Sequence, residues 1–269
     1  MAETTTMILT SSLRDGVIAI ARAAAAEILK VYDGEFAVQH KDDASPLTAA
    51  DLAAHRCISD GLRALTPNIP VLSEESRDLD IAQRRQWHTF WLVDPLDGTR
   101  EFVKRNGEFT INIALVEHGV ATFGVIQQPV TGGLWHGAPD QGAFRRDGER
   151  DTAITCRIPA AAPLRIAASR SHRDARTEHL LAAIPDADVQ GYGSALKFCK
   201  LAEGLIDLYP RFHPTSEWDT AAGQAIVEAA GGVLLDLQGR PFRYNQRDTL
   251  LNGDFIAVGD RRLLARLPT

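Results

Sequence analysis

Two aspartates three residues apart, Asp94 and Asp97, close an apolar run in Trp91-Leu92-Val93-Asp94-Pro95-Leu96-Asp97-Gly98-Thr99. Pro95 fixes its own φ, and Gly98 has access to backbone angles that other residues avoid, so a sharp turn is expected where the strand ends. Both carboxylates, with the Leu96 carbonyl between them, can then face one point. A donor set made only of oxygens suits Mg²⁺, which binds a few carboxylates, keeps several waters and takes substrate phosphate oxygens. A lone Asp-Pro-x-Asp reads more simply as a strand followed by an Asp-rich turn. The chemistry therefore depends on which other acids accompany the pair.

Glu74 and Glu75 follow the short apolar stretch Ile69–Leu72, which sets their carboxylates at a second strand end; alone they read as a solvated pair. Asp51 lies three residues after Thr48, and Asp219 three after Ser216, each in the pattern of a capping box. Capping does not exclude chemistry, because a helix N-terminus is also where an anionic group is favoured. Taken jointly, the acid-bearing strand ends (Glu74, Asp94, Asp97) and helix starts (Asp51, Asp219) supply what a two-metal phosphoryl-transfer site needs: one bridging carboxylate flanked by others. Spacing does not show that they converge.

The elements that must position these acids fall into two parts. Apolar residues at helical spacing predict a helix over Leu13–Val31, and another from Thr48 with Leu52, His55, Ile58 and Leu62 along its stripe. Short strands are expected at Ile69–Leu72 and at Phe90–Val93, which leads into the acid turn. The polar stretch Ser76–Gln86 reads as a mobile connection or short surface helix, and as the lid over a site. Thr110–Val116 and Val120–Ile126 form a hairpin pattern, followed by Leu134–Ala138 and Gly142–Phe144. Pro and Ala at Ile158–Pro163 mark a shift to alternating strands (Leu164–Ala168, Asp188–Gly191, Ile206–Leu208, Val233–Leu235, Phe255–Val258) and helices (Arg173–Ala183, Ser194–Ala202, Glu217–Ala229). The reading is an α+β part over residues 1–160 and an α/β part over 161–269, countable as one domain, with the site where they meet.

Composition narrows the function classes. The 269 residues are 45% hydrophobic and 24% charged, ample for a large core, and the net charge of −6 argues against general affinity for nucleic acid or anionic membranes. Cys57, Cys156 and Cys199 are scattered and odd in number, which suits buried thiols in a reducing compartment. The Ala-rich Val17–Ile28 is interrupted by Arg22 and Glu27 and lacks a signal peptide's flanks, so a cytoplasmic protein without a membrane span is expected.

Four stretches, Ser45-Pro46-Leu47-Thr48-Ala49-Ala50-Asp51, Val71-Leu72-Ser73-Glu74-Glu75, Asp94-Pro95-Leu96-Asp97-Gly98-Thr99 and Glu217-Trp218-Asp219-Thr220-Ala221-Ala222, together resemble the Mg²⁺-dependent inositol monophosphatase superfamily in order and approximate spacing. The resemblance spans about Lys41 to Gly232. Its nearest subgroup is the bacterial 3′(2′),5′-bisphosphate nucleotidases, on the strength of Thr99-Arg100-Glu101-Phe102, Lys104–Thr110, Ser169-Arg170-Ser171-His172, Gly193-Ser194-Ala195-Leu196-Lys197-Phe198-Cys199 and Leu208-Tyr209-Pro210-Arg211. Arg100 stands where many relatives carry Lys, which keeps the charge but changes the hydrogen-bond geometry.

The resemblance implies a layered α/β/α/β/α sandwich. It implies that Glu74, Asp94 and the Leu96 carbonyl hold a first Mg²⁺, and that Asp94, Asp97 and Asp219 hold a second. A third, weaker ion lies near Glu74 in the family, so two to three ions are expected. Asp51 and Thr99 would orient and deprotonate a water, and the N–H groups of Gly98 and Thr99 would hold phosphate oxygens. Ser194, Lys197 and Arg211 would take a second phosphate, Ser171 and His172 would edge an adenosine, and Lys41 would approach the first phosphate. Without the resemblance, Ser194 reads as a helix N-cap, Lys197 as a solvated helix face and His172 as a loop residue. The implied activity is removal of the 3′-phosphate from adenosine 3′,5′-bisphosphate, with Li⁺ inhibition and a role in sulfate assimilation. Alternatives are the same chemistry on inositol phosphate, histidinol phosphate or fructose 1,6-bisphosphate, or a non-catalytic nucleotide- and metal-binding protein. Family relatives occur as monomers and homodimers.

Overall fold

The first helix, α1 (Ser11–Tyr32), starts where the Thr10 side chain accepts a hydrogen bond from the Leu13 N–H, and buries a stripe of Val17, Ile18, Ala21, Ala24, Ala25 and Ile28. The computed structural model describes residues 9–34, 38–40, 46–76, 80–169, 174–184 and 186–267. A short hairpin, β1 (Val38–His40) with β2 (Pro46–Thr48), leads into α2 (Ala49–Leu65). The stripe that α2 buries is Ala50, Ala54, Ile58 and Leu62; Leu52 and His55 are only half-buried. Small alanines let α2 pack closely against α1, and both lie on one face of the larger sheet.

That sheet has seven strands in sequence order: β3 (Val71–Ser73), β4 (Thr89–Asp97), β5 (Thr110–Glu117), β6 (Val120–Gln127), β7 (Leu134–Ala138), β8 (Gly142–Asp147) and β9 (Arg150–Ile154). Only β3 and β4 run parallel; the other neighbours are antiparallel. Between β3 and β4 lies α3 (Ile81–Arg84), and β4 is followed by α4 (Thr99–Val103). β5 is buried along its whole length because both faces are covered. Ile111, Ile113 and Leu115 meet α1 and α2, while Ala114 and Val116 meet a second core.

The second sheet has five strands in the order β11-β10-β12-β14-β13, formed by β10 (Arg165–Ser169), β11 (Asp188–Tyr192), β12 (Leu208–Arg211), β13 (Val233–Asp236) and β14 (Phe255–Val258). Helices α6 (Leu196–Ala202) and α7 (Glu217–Ala229) form the layer between the sheets, sharing one core with Leu92 and Ile126 on one side and Tyr209, Leu234 and Phe255 on the other. Helix α5 (Ala175–Ala182) and a 3-10 helix (Arg261–Arg266) cover the outer face through Leu180 and Leu263. The layers run α/β/α/β/α, as the resemblance implied.

Several boundaries differ from the sequence reading. The first helix of the middle layer, α6, begins at Leu196 rather than Ser194, the strand expected at Ile206–Leu208 is Leu208–Arg211, and the polar edge strand β9 was not anticipated. Cys156 and Cys199 are buried thiols, but Cys57 is only half-buried. The end of Ser76–Gln86 is not lid-like: Arg84 is 2% exposed, and its guanidinium donates to Asn245 Oδ1 (2.6 Å) and to the carbonyls of Arg247 and Asp248. Among the described residues no helix is long and apolar enough to cross a membrane.

Candidate active site

The acids converge because of an irregularity in one strand ladder. Asp94 pairs with Asn112 and Asp97 with Thr110, so three steps along β4 match two along β5. A regular strand would point residues three apart to opposite faces; one extra residue brings Asp94 and Asp97 to the same face. Pro95, which cannot donate to a ladder, sits inside this bulge. The strand thus continues through Asp97, and the sharp turn falls at Gly98 instead of at Pro95. Gly98 has φ of +90° and caps the start of α4. A Cβ there would stand 3.3 Å from Ser194 Cβ and 3.4 Å from the Glu108 carbonyl oxygen.

Local hydrogen bonds aim each carboxylate. Asp94 accepts from the Leu96 N–H (3.0 Å), and Asp97 accepts from Asn112 Nδ2 (3.3 Å), whose own Oδ1 is held by the Thr110 hydroxyl (3.0 Å). Asn112 and Thr110 are buried positioning groups; motif reading missed Asn112 and gave Thr110 no role, and the register opposite the acids is the signal that points to them. Asp219 sits in the first turn of α7 and accepts from the Ser216 N–H (2.7 Å), so it does cap the helix while presenting its remaining lone pairs to the site. Each of Asp94, Asp97 and Asp219 offers a carboxylate oxygen, and these atoms lie within 4.8 Å of one another. Glu74 follows β3, whose parallel pairing with β4 sets it beside the bulge; its N–H donates to the Val93 carbonyl (3.0 Å).

Electrostatics mark the same point. Burial and the neighbouring charges of Glu74, Asp97, Asp219 and Asp51 raise the Asp94 carboxyl well above the usual range. Burial, then the Asp97 charge, pushes Asp219 up to about 8. Burial raises Asp97 to about 6, opposed by the charge of Lys197 and by the hydrogen bond from Asn112. Like charges held this close favour a proton or a cation.

These shifts predict a stability profile. Native carboxyls with raised values keep protons that the unfolded chain has already lost above about pH 4. The metal-free fold therefore loses stability as pH rises toward the Asp219 value of about 8. Thermal unfolding with chelator should show Tm falling between about pH 5 and about pH 8, with excess divalent cation removing the decline. A Tm that rises over this interval without metal would contradict the arrangement.

The acids open into a cavity of about 310 Å³ at the seam between the two sheets, lined also by Gly98, Thr99, Ser194, Lys197, Tyr209, Arg211 and Trp218. Asp51, 0% exposed in the first turn of α2, lies close enough to Asp94 for its charge to help raise that carboxyl. Thr99 opens α4, which packs against β2 just before α2.

Ser194 is not an N-cap. It precedes the α6 cap residue Ala195, has φ of +42°, and its buried Oγ has no protein hydrogen-bond partner among the described residues. Lys197 is not a solvated face either: it is 4% exposed, and its Nζ donates to the carbonyls of Ser194 (2.6 Å) and Tyr192 (3.2 Å). Burial lowers its ammonium to about 8. Arg211 ends β12, donates to the His213 carbonyl (3.2 Å) and faces the cavity. Ser171, His172 and Lys41 lie outside the described residues.

An all-oxygen acid cluster with neighbouring cationic side chains, set at the seam of an α/β/α/β/α sandwich, defines a metal-dependent phosphatase of the layered type. The chain belongs to the inositol monophosphatase family, whose sequence model matches residues 10–267. It is 47% identical over 243 residues to the 3′(2′),5′-bisphosphate nucleotidase CysQ of an Escherichia coli strain, covering 90% of this chain and 97% of that protein. It is 33% identical over 255 residues to the protein of the same name from Haemophilus influenzae, covering 94% and 95%. Among solved structures, CysQ from Bacteroides thetaiotaomicron aligns with a TM-score of 0.83 at 39% identity, covering 94% of this chain and 99% of that one. The extragenic suppressor protein suhB from Bartonella henselae aligns with a TM-score of 0.78 at 25% identity, covering 95% and 96%.

Proposed function

We propose that this protein is a metal-dependent 3′(2′),5′-bisphosphate nucleotidase that hydrolyses adenosine 3′,5′-bisphosphate to AMP and phosphate. One observation carries the reading beyond the family: the acid cluster and the Ser194–Lys197 segment, with Arg211, line one cavity. A substrate with two phosphates would meet carboxylates at one end and Lys197 and Arg211 at the other. Close likeness to bisphosphate nucleotidases over nearly full length supports the same substrate class.

The donor set fits divalent cations. Its groups are carboxylates and a backbone carbonyl, and their mutual repulsion is relieved by positive charge. Glu74, Asp94 and the Leu96 carbonyl would hold one Mg²⁺, and Asp94, Asp97 and Asp219 another, with a third near Glu74. Bound there, the ions supply Lewis acidity toward water and toward phosphate oxygens.

The chain's own groups do the remaining work. The Thr99 hydroxyl orients the attacking water and passes its proton toward Asp51, whose complete burial keeps bulk water from competing. The N–H groups of Gly98 and Thr99, freed by the left-handed turn at Gly98, point at phosphate oxygens. Water beside Asp219 returns a proton to the leaving oxygen. Ser194 Oγ and Arg211 bind the second phosphate, and Lys197, two of whose donors go to backbone carbonyls, adds charge and one further donor. Ser171 and His172 edge the adenosine. The reading includes a cytoplasmic location and the clearing of a by-product of sulfate assimilation.

Phosphate release with Mg²⁺ tests the substrate claim across adenosine 3′,5′-bisphosphate, 5′-AMP, inositol 1-phosphate, fructose 1,6-bisphosphate and histidinol phosphate. The bisphosphate nucleotide should lead in kcat/KM, and Li⁺ should inhibit it by competing at the Asp97–Asp219 site. Turnover led by another monoester would keep the acid cluster and remove the nucleotide pocket. Binding without turnover of any of them would favour a non-catalytic protein.

A further inference from the structure

The turn between α4 and β5 reaches across the seam to the opposite half of the cavity. Its Glu108 Oε2 accepts a hydrogen bond from the Gly193 N–H at 2.8 Å, linking residues 85 apart in the chain. The turn itself is fixed on its own side: Asn106 Oδ1 accepts from the Glu108 N–H (2.9 Å), and Gln128 Nε2 donates to the Gly107 carbonyl (2.8 Å). Contact at the crossing is close enough to require glycine. A Cβ on Gly193 would fall 2.6 Å from the Glu108 carbonyl oxygen and 2.8 Å from Glu101 Cγ. The same Glu108 carbonyl stands 3.4 Å from the position of a Cβ on Gly98, in the acid turn. One short turn therefore touches both the acid loop and the loop that carries Ser194.

Ser194 is held in the left-handed region at φ of +42°, a conformation that costs a non-glycine residue and persists only where its surroundings impose it. Here the restraints lie on both sides: the Gly193 N–H donates to Glu108 Oε2, and the Ser194 carbonyl accepts from Lys197 Nζ. The outcome is a buried Ser194 Oγ at the cavity wall with no protein partner among the described residues.

We propose that Glu108 is a specificity-determining positioning residue that sets the distance between the acid cluster and the second-phosphate subsite. It touches no substrate; it acts by tethering the Gly193–Ala195 turn so that Ser194 Oγ and the reacting centre stay at a spacing that only a substrate with two phosphates spans. This rests on the bisphosphate reading above. The energetic scale is that of one charge-assisted hydrogen bond at a partly buried site, equivalent to about a tenfold change in binding.

The test compares wild type, Glu108→Ala and Glu108→Gln on adenosine 3′,5′-bisphosphate and on adenosine 3′-phosphate, which lacks the second phosphate. Peptide-level hydrogen exchange across residues 190–196 is measured on the same proteins. Glu108→Ala should raise KM for the bisphosphate about tenfold, leave its kcat within about twofold, and leave kcat/KM for the monophosphate unchanged. Exchange at Gly193–Ala195 should accelerate, and Glu108→Gln, which keeps a carbonyl acceptor, should restore most of both readouts. Equal losses on the two substrates, unchanged exchange in Glu108→Ala, or no rescue by Gln would each overturn the tether. Failure of the underlying function would show separately, as a wild type with no preference for the bisphosphate, and the exchange comparison would still decide whether Glu108 holds the turn.

Discussion

Asp94→Asn is expected to lower kcat/KM by about 10³-fold or more while raising the melting temperature of the metal-free protein. The two signs come from one cause. Asp94 is buried among the charges of Glu74, Asp97, Asp219 and Asp51, so a neutral amide relieves repulsion that the fold otherwise carries. The substitution is nearly isosteric, and Asn Oδ1 can still accept from the Leu96 N–H, so local geometry is retained. What disappears is the carboxylate proposed to bridge two cations, and with it the several kcal/mol of transition-state stabilisation that such ions supply. Differential scanning with chelator and with excess Mg²⁺ reads both effects, because the metal-induced rise in Tm should largely vanish in the variant. A variant that keeps wild-type turnover, or that melts lower without metal, would show that Asp94 is a structural acid instead.

Arg84→Ala carries the largest expected cost in stability, about 3–5 kcal/mol. The guanidinium is nearly fully buried, and removing it strands Asn245 Oδ1 and the carbonyls of Arg247 and Asp248. The loss propagates along a chain of hydrogen bonds. The Asn245 N–H donates to Glu217 Oε2 (2.7 Å), Arg247 to Glu217 Oε1 (2.9 Å), and Asn252 Nδ2 to the Ser216 carbonyl (2.7 Å). Ser216 in turn donates to Asp219. The apparent Mg²⁺ affinity should therefore fall by about 10–100-fold as well. Arg84→Lys should recover less than half the stability, since a point charge cannot reach the acceptors that the planar fork spans. Urea unfolding of the metal-free protein measures the first effect, and Mg²⁺ titration of activity the second. A loss below about 1 kcal/mol would mean that the loop 244–252 holds itself in place.

Much of this site could be read from the chain because metal ligands need particular side chains at particular backbone positions. Glu74 and Asp97 stand at strand ends and Asp219 at a helix start, where periodicity and capping patterns are strongest, and Asp94 lies three residues before the end of its strand. The helix Glu217–Ala229 and the strands Leu134–Ala138 and Phe255–Val258 were placed to the residue, since their apolar patterns are bounded by clear breakers. The bulge at Asp94–Asp97 escaped notice because register belongs to a pair of strands, and Pro95 alone suggested an earlier turn. Arg84 and Glu108 were opaque for a related reason. Their partners are an amide side chain and backbone groups 161 and 85 residues away, and backbone partners leave no trace in residue types. For Lys197 the sequence offers a phosphate ligand or a solvated helix face, whereas the side chain is buried and two of its donors go to the carbonyls that shape the neighbouring turn.

The proposed activity requires that two phosphates be recognised and one be cut. The most direct measurement is chromatographic identification of the nucleotide formed from adenosine 3′,5′-bisphosphate with Mg²⁺, alongside the phosphate released. The arrangement of acids and second-phosphate subsite predicts 5′-AMP and phosphate in equal amounts, with the 5′-phosphate left intact at completion. Accumulation of 3′-AMP, conversion through to adenosine, or an unconsumed bisphosphate in an enzyme that turns over other monoesters would contradict it.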